Sequence, residues 1–368
     1  MSDSLRMYQA ICQRVTSTLP LAEEHRYRLD TLSLMITGVV RARSVQQSQV
    51  ASEVPLRTQD RSFVQRQRRW MQNDAVGVAD YYAPFIQPFL QAHRRHLLPV
   101  ILDSSPAGRR CQMLLASCGY QGRALPVTWA VRQGQKGHFP TTAHLEVLDR
   151  VAQQVPDDAP VVLLGDGEFS HVALAQAAQV HHWQFVFRAG RDDLVWLEGE
   201  PHPLSEFQVE PGTTIWLAGV QWTQEQFGPV NVAVVWNEKD HTTMYLVTNC
   251  DVVEETCHWY HYRFWTEPLF RDDKSMGFQL QDSQLRDPAR MARLLLVIAL
   301  AYLWLLYLGC MAVLAGHIPL LDRADRRDCS LFHYGWRWLR RLLRLDLYIP
   351  VRFCPHPFIR LPAVRGVG

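Results

Sequence analysis

The residues from 260 to 274, Tyr260-His-Tyr-Arg263-Phe-Trp-Thr-Glu267-Pro-Leu-Phe-Arg-Asp-Asp-Lys274, decide how the rest of the chain is interpreted. Tyr260, Arg263 and Glu267 are three and four residues apart, so a helix places them on one face. Lys274 continues that face two turns later. Pro268 directly follows Glu267, so the helix should kink or restart there. The stretch predicts a helical segment that points a hydroxyl, two cations and a carboxylate at one place.

This mixture of side chains suits a phosphodiester substrate. A carboxylate can hold a divalent cation, while a guanidinium, an ammonium and a phenol can hold phosphate oxygens. The alternative is an ordinary amphipathic helix with a hydrated polar face. The chain has three lysines against thirty-five arginines, so a lysine at a set position is rare. The pattern Tyr-x2-Arg-x3-Glu-x6-Lys is expected by chance in about one such chain in three thousand, which makes it a fairly specific motif.

The segment resembles the Tyr-Arg-Glu-Lys signature of the insertion-sequence-four family of bacterial cut-and-paste DDE transposases. The resemblance covers roughly residues 30 to 345. It implies that Glu267 is the last of three catalytic carboxylates and that two aspartates lie upstream, at the ends of buried strands. It also implies that Tyr260, Arg263 and Lys274 contact phosphate near the cleaved DNA end and help a hairpin intermediate to form and resolve.

Two aspartates stand where the resemblance requires them. The short apolar runs at 96–103 and 160–166 end in Asp103 and Asp166, and both runs are typical of buried strands. Asp103, Asp166 and Glu267 are therefore predicted to bind two Mg²⁺ ions, for which Mn²⁺ can substitute, because these ions prefer hard oxygen ligands. Taken singly, each aspartate is more simply explained as a solvated residue in a turn. We interpret the nearby acids Glu168, Asp272 and Asp273 as structural or solvated.

The predicted fold class is α/β, with a ribonuclease H-like catalytic core of mixed sheet and helices, a β-rich insertion and an all-α DNA-binding region at the amino terminus. Around the two aspartate strands, the core prediction adds a strand pair, two helices and one more strand. These elements are predicted at 110–120, 123–132, 141–155 with Thr141 or Thr142 as the cap, 171–180 and 183–187. Further strands at 213–217, 230–236 and 242–248 form the insertion, and helices follow at 286–308 and 331–345.

These elements divide the chain into five predicted parts. They are a helical DNA-binding domain at 1–95, a first part of the core at 96–190, the β-rich insertion at 191–256, a second part of the core at 257–320, and a basic helical region at 321–368. Residues 1–95 carry thirteen Arg against eight Asp and Glu, and residues 321–368 carry ten Arg against four Asp. Basic ends around a more acidic middle fit an anionic partner, although ordinary scatter of charge in an arginine-rich chain is an equal alternative.

The amino-terminal region contains a pattern typical of a helix-turn-helix DNA reader. An apolar-periodic helix at 29–40 precedes a short helix at 44–51 with a serine cap, and Pro55 separates that helix from an arginine-rich helix beginning at Asp60. Exposed arginines on a surface helix are common, so the pattern is weak by itself. The predicted phosphate or base contacts of this region are Arg57, Arg61, Arg66, Arg68 and Arg69.

Two residues outside the motif are further candidates for DNA contact. Arg188 follows the predicted strand at 183–187, and Trp236 ends a strand of the insertion. The family uses a tryptophan of its β insertion to stack on a flipped base, which makes Trp236 and Trp222 candidates; a core position is the alternative for both.

The segment at 294–316 carries no charged residue for twenty-three positions, enough to span a bilayer. Its aromatic residues lie at the middle of the segment rather than at its ends, so we predict a buried helix, with a membrane anchor as the alternative. Eight dispersed cysteines fit core positions in a reducing compartment better than a disulfide frame or a zinc site. The expected location is the bacterial cytoplasm, with no membrane partner.

The predicted function is that of a transposase that binds the terminal inverted repeats of an insertion sequence, cuts the double-stranded DNA with Mg²⁺ and transfers the freed 3′-hydroxyls to target DNA. A homodimer on DNA is expected, because two ends must be held together. One alternative is a ribonuclease H-like nuclease or resolvase that cuts without strand transfer. Another is an inactive, transposase-derived DNA-binding protein.

Overall fold

The computed structural model describes residues 1–134, 137–323 and 329–359. Up to Ala92 the chain forms only helices and their connections. The first helices are α1 (Asp3–Thr18), α2 (Arg26–Ala42), α3 (Gln47–Ser52), α4 (Asp60–Gln72) and α5 (Val78–Ala92). The apolar run at 29–40 lies within α2, as predicted, and every residue of that run except Asp30 is buried. Its buried hydroxyls donate to carbonyls one turn earlier, Ser33 to Leu29 at 2.8 Å and Thr37 to Ser33 at 2.8 Å, so α2 can cross the core.

The short helix α3 begins later than predicted. Ser44 does not cap it, because the Ser44 hydroxyl accepts a hydrogen bond of 3.1 Å from the amide of Gln46, and the helix starts at Gln47. Residues 53–59 then connect α3 to α4, so the predicted order of a short helix, a connection and an arginine-rich helix is present.

Within the described residues, ten strands form one mixed sheet in the order β3-β2-β1-β4-β5-β10-β9-β8-β6-β7. The strands are β1 (Leu98–Ala107), β2 (Cys111–Tyr120), β3 (Arg123–Gln133), β4 (Val161–Gly165), β5 (Gln184–Ala189), β6 (Leu194–Leu197), β7 (Glu200–Pro203), β8 (Thr214–Trp222), β9 (Phe227–Asn237) and β10 (Thr242–Thr248). The pairs β1–β4 and β4–β5 are parallel, and the remaining pairs are antiparallel.

The sheet differs from the sequence prediction in two ways. First, β1 does not end at Asp103, because its antiparallel pairing with β2 continues to Ala107, whereas its parallel pairing with β4 stops at Ile101. Second, the prediction missed the short strands β6 and β7, whose four-residue length gives little periodic signal. The strands predicted for the insertion are present, and β10 pairs with β5, so they extend the same sheet.

The later helices cover the sheet and connect it to the helical region. They are α6 (Thr141–Ala152), α7 (Val172–Val180), α8 (Val253–Tyr262), α9 (Thr266–Arg271), α10 (Pro288–Leu314) and α11 (Leu331–Arg344). The cap predicted for α6 is wrong, since Pro140 holds that position without a side-chain hydrogen bond, and the helix ends at Ala152.

Helix α10 is the central helix of the protein. It is long and apolar enough to cross a membrane by length and composition, but 89% of its most apolar window is buried inside the protein, as predicted for a core helix. Glycines allow α11 to pack closely on it: a Cβ atom at Gly309 would lie 2.1 Å from the Leu331 carbonyl oxygen, and one at Gly335 would lie 1.8 Å from that of Leu305. Larger residues at these two positions would force the helices apart.

Candidate active site

Asp103, within β1, and Asp166, directly after β4, lie side by side on two neighbouring interior strands of the sheet. The parallel register of β1 and β4 pairs Leu98 with Val161 and ends with Ile101 beside Leu164. Each aspartate is two residues past that last pair, so the two side chains stand at the same level on neighbouring strands, which are about 4.8 Å apart in a sheet. The sheet thus brings together two acids that are far apart in the sequence.

The guanidinium of Arg263 faces both carboxylates. Its Nη2 donates a hydrogen bond of 2.9 Å to Asp166 Oδ2 and lies 3.9 Å from Asp103 Oδ2. The side chains of Arg263 and Asp103 are 16% and 11% exposed, so this contact is largely shielded from water. A low-dielectric environment strengthens the attraction but also requires each charge to be paired.

The Oδ2 oxygen of Asp103 has a second partner besides Arg263. Thr266 donates its hydroxyl to this oxygen at 2.5 Å. Burial raises the pKa of Asp103 to about 6, although Arg263 and Thr266 both act to lower it. A buried carboxylate with a raised pKa gains strongly from an additional cation, since the charged form is then favoured.

Glu267 does not join this pair in the structure. Its side chain is 47% exposed, and its Oε1 lies 3.9 Å from Lys239 Nζ, in the connection between β9 and β10. The reason is local, because the residues Arg263–Trp265 form a 3-10 turn before α9 begins at Thr266. A 3-10 turn rotates the chain about 20° more per residue than an α-helix, so Glu267 turns away from the face of Arg263.

The sequence predicted that the helix carrying Arg263 kinks or restarts near Pro268 and continues to Lys274, and the structure differs from this in detail. The helix restarts at Thr266, two residues before Pro268, and the residues Asp272–Met276 form a turn of π-helix. Lys274 nevertheless reaches the site, since its Nζ donates a hydrogen bond of 2.7 Å to Ser105 on β1. Burial lowers the pKa of Lys274.

A cleft of about 960 Å³ opens beside Asp166 and Arg263. Tyr260, Arg188 and Trp236, three of the predicted DNA contacts, line it, whereas Trp222 is completely buried in the core. Burial raises the pKa of Tyr260 to about 12, so its hydroxyl remains a hydrogen-bond donor. Three atoms of the cleft-lining residues are buried without a hydrogen-bond partner in the described part of the chain: Ser170 Oγ, Trp236 Nε1 and Arg263 Nε.

A buried hydrogen-bond network next to the two aspartates was missed by the sequence reasoning. Ser104, which follows Asp103, donates to Glu168 Oε2 at 2.5 Å, and the amide of Glu168 donates to Asp166 Oδ1 at 3.0 Å. Glu168 Oε1 accepts from the amide of Phe139 at 2.8 Å and lies 3.4 Å from His144 Nε2. The signal in the sequence was that Ser104 and Glu168 stand one and two residues from the candidate acids.

Glu168 is charged within this network. Burial alone would raise its pKa, but the hydrogen bonds from His144, Ser104 and the Phe139 amide outweigh that effect and lower the pKa to about 2. The other nitrogen of His144 lies 3.0 Å from Nε2 of His171, and burial lowers the pKa of His171 to about 4. The network therefore ties β1 and the segment after β4 to α6 and to the start of α7. These contacts are consistent with the interpretation of Glu168 as structural, which stays a prediction.

The amino-terminal arginines have different surroundings. Arg57, Arg61 and Arg69 are exposed, and Arg68 is exposed with a hydrogen bond of 3.0 Å to Gln47. Arg66 is half-buried, forms an ion pair with Asp30 and donates to the Thr31 hydroxyl at 2.9 Å. Arg66 thus holds α4 against α2.

The acidic atoms fit a divalent cation only in part. Asp103 and Asp166 offer hard oxygen ligands next to each other, and Mg²⁺ is often held by one or two carboxylates together with substrate phosphate. In the part of the chain that the structure describes, no group of three or more His, Cys, Asp or Glu side chains is arranged to hold a metal ion. Arg263 occupies the position facing both aspartates, and Glu267 pairs with Lys239.

The mixed α/β fold brings Asp103, within β1, next to Asp166, directly after β4, and paired carboxylates of this kind are compatible with proteins that use bound cations to act on phosphodiesters. A family model described as the transposase DDE domain matches residues 91–304 of the chain. This match covers more than half of the 368 residues, so the protein belongs to the transposase DDE domain family. DDE transposases generally use divalent metal ions, and the family membership supports a DNA transposase.

Among solved structures, the chain is similar to the piggyBac transposase in a cryo-EM structure of its synaptic complex with hairpin DNA. The sequence identity is 12%, the TM-score is 0.48, and the similarity covers 96% of this chain and 83% of that one. Among curated proteins, none matches the chain significantly.

Proposed function

We propose that this protein is a transposase of the insertion-sequence-four type, with a ribonuclease H-like core, that cuts the ends of its element and joins them to target DNA. The observation that carries the proposal is the convergence of Asp103 and Asp166 on Arg263 in a chain of the transposase DDE domain family. The five parts into which we divided the sequence, with boundaries at 95, 190, 256 and 320, belong to the same proposal.

Asp103 and Asp166 are the residues that would hold the first divalent cation, and Glu267 is the proposed third acid of a two-ion site. When bound, Mg²⁺ polarises the phosphoryl oxygen, activates a water or a 3′-hydroxyl and stabilises the leaving oxygen. For Glu267 to take part, its contact with Lys239 must break; both side chains are exposed, so this contact is weak.

The protein's own residues position the DNA. Thr266 fixes the orientation of the Asp103 carboxylate through its 2.5 Å hydrogen bond. Arg263, Arg188 and the Tyr260 hydroxyl are proposed to contact phosphate oxygens along the cleft, where they would stabilise the extra negative charge of the transition state. Lys274, which reaches Ser105 on β1, is proposed to contact a phosphate beside Asp103. The density of donors beside one cleft supports the formation of a tightly bent hairpin at the cut end.

Trp236 is proposed to stack on a base that leaves the duplex. It lines the cleft and is partly exposed, so a face of its indole ring is available for a base to stack on. Arg57, Arg61, Arg66, Arg68 and Arg69 are proposed to contact the terminal repeats. Arg66 also supports α4 through its ion pair with Asp30. We further propose that the protein acts as a homodimer on DNA in the bacterial cytoplasm.

Cleavage and joining assays on DNA carrying the element's ends test this function. Asp103→Ala, Asp166→Ala and Glu267→Ala should each abolish Mg²⁺-dependent cleavage and leave binding of the ends intact. Cleavage that survives in one of these variants removes that residue from the site. Persistent cutting by the wild type without joining of a pre-cleaved end to a plasmid would favour a nuclease instead, and binding without any cutting would favour an inactive DNA-binding protein.

A further inference from the structure

A second basic surface lies away from the cleft, where α11 meets α1 and α2. Here a groove of about 520 Å³ is lined by five arginines: Arg41, Arg337, Arg340, Arg341 and Arg344. None of the residues that line this groove also lines the cleft beside Asp166. The groove is therefore a separate surface, and the proposed catalytic function does not use it.

Two of these arginines are neutralised by neighbouring acids. Arg41 pairs with Glu53 at 3.0 Å and with Asp3 at 3.8 Å, and Arg337 lies 3.6 Å from Asp322. By contrast, Arg340, Arg341 and Arg344 make no side-chain hydrogen bond or ion pair with any residue that the structure describes. Three positive charges of the groove thus remain available to an external anion.

Among the residues that the structure describes, the acids near the groove do not cancel this excess. Asp346 is taken by Arg6 at 2.9 Å, and Asp3 lies 3.7 Å from that same arginine. Arg43, which stacks on Trp336, adds a further charge close by, and burial together with the charge of Arg340 lowers the pKa of Arg43. The charge distribution of this surface therefore favours an anionic partner.

The arginines of α11 form a row. Arg337, Arg340, Arg341 and Arg344 lie on one face of the helix, because the last three follow the first by three, four and seven residues, while Leu339, Leu342 and Leu343 are buried. From Arg340 to Arg344, the free part of the row, the helix rises about 6 Å, which is on the order of the length of three consecutive phosphates along one DNA strand. Guanidinium groups match phosphate oxygens well, because they present several donors in a planar fork.

We infer that this groove binds the backbone of duplex DNA of arbitrary sequence, at a distance from the DNA segment held in the cleft. This inference rests on the proposed function in one respect, which is that the anionic partner is DNA. A row of backbone contacts carries no sequence information, so the surface suits DNA beyond the element's recognised ends, either the flanking donor DNA or the target.

The test measures binding of a random-sequence duplex over a series of salt concentrations, with a chelator present so that no cleavage occurs. The variant combines Arg340→Gln, Arg341→Gln and Arg344→Gln. Each lost phosphate contact should reduce the slope of log affinity against log salt by about 0.9, so the variant should lose roughly 2.7 in slope and bind at least tenfold more weakly at low salt. Its melting temperature should stay close to that of the wild type.

A control variant with the same change in charge combines Arg14→Gln, Arg95→Gln and Arg352→Gln, three exposed arginines that line neither the groove nor the cleft. It should keep the wild-type slope. An unchanged slope in the groove variant, or an equal loss in the control, overturns the inference. So does a groove variant that loses binding to anionic lipid vesicles while its DNA affinity is unchanged, since the partner would then be a membrane surface.

Joining assays then separate the two sources of DNA. If the groove variant cleaves element ends normally but joins them poorly to a plasmid, the groove holds target DNA; if cleavage falls as well, it holds the flank. Failure of the proposed function would give a different result. The wild type would then show no Mg²⁺-dependent cleavage, but its slope of log affinity against log salt would still depend on the groove arginines. That result would refute the transposase function and leave the groove as a DNA-binding surface.

Discussion

Arg263 donates a hydrogen bond of 2.9 Å to Asp166 across 97 residues of sequence. The same nitrogen lies 3.9 Å from Asp103, so one guanidinium holds the two candidate acids together. Without such a cation, two neighbouring carboxylates would repel each other, and one of them would take up a proton. Arg263 therefore keeps both carboxylates charged and close together, which is the form that can bind a divalent cation and, through it, a phosphate.

Arg263→Gln should destabilise the protein in the absence of divalent cations by about 2 kcal/mol or more, because two partly buried carboxylates lose their partner. Added Mg²⁺ should raise the melting temperature of this variant more than that of the wild type. Arg271→Gln, an exposed change on α9, is the control and should behave like the wild type. An equal Mg²⁺ response in all three proteins would contradict the assignment of Asp103 and Asp166 as cation ligands.

Lys239→Gln should release Glu267 for the proposed third-ligand role and tighten Mg²⁺ binding by up to about fivefold, the factor expected for loss of a competing surface ion pair. Titration of the protein with Mg²⁺ or Mn²⁺ measures the change. Lys239→Arg, which keeps the charge, should leave the affinity unaltered. If adding Glu267→Gln to Lys239→Gln does not remove the gain, Glu267 is not a ligand.

Glu168→Ala should slow cleavage on the order of tenfold to a hundredfold while DNA-end binding stays the same, because residues that orient metal ligands typically contribute that much. The change removes the acceptor of the Ser104 hydroxyl and the Phe139 amide. Glu168→Gln retains one acceptor oxygen and should recover part of the rate. A parallel fall in DNA affinity would indicate a general loss of structure instead of a loss of positioning.

Asp273→Asn should stabilise the protein above neutral pH. Asp273 is 5% exposed, its Oδ1 has no partner among the described residues, and burial together with the charge of Asp272 raises its pKa to about 8. The unfolded chain has a pKa near 3.9 at this residue. The folded state therefore binds more protons between these values, and the stability present below about pH 4 is lost as the pH rises through about 8.

Denaturation of both proteins at several pH values measures this effect. The wild type should lose stability relative to Asp273→Asn between about pH 5 and pH 8, by at most about 4 kcal/mol at 1.4 kcal/mol per pH unit. Asp282→Asn, an exposed substitution, should show no such pH-dependent difference. A constant difference between the Asp273 variant and the wild type would mean that Asp273 does not titrate in this range.

Much of the local structure could be read from the sequence. The strands leading to Asp103 and Asp166 and the helices α10 and α11 follow from short-range apolar periodicity. The two aspartates were found for the same reason, because buried strands are short apolar runs and a polar residue at their end is easy to see.

The relations between distant side chains could not be obtained in this way. A helical face predicted from spacing placed Arg263 and Glu267 together, but one 3-10 turn rotates Glu267 toward Lys239. Likewise, the helix-turn-helix pattern predicted Arg66 as a DNA contact, and only the packing of α4 on α2 reveals its ion pair with Asp30.

The amino-acid sequence by itself determined which residues carry the chemistry and which elements they stand on, since both depend on neighbours within a few positions. The tertiary structure alone decided that β1 and β4 are adjacent and parallel, so that Asp103 and Asp166 meet, and that Arg263 lies between them. The physical reason is that strand order and side-chain pairing are set by how the whole apolar core packs, and no local pattern encodes that arrangement.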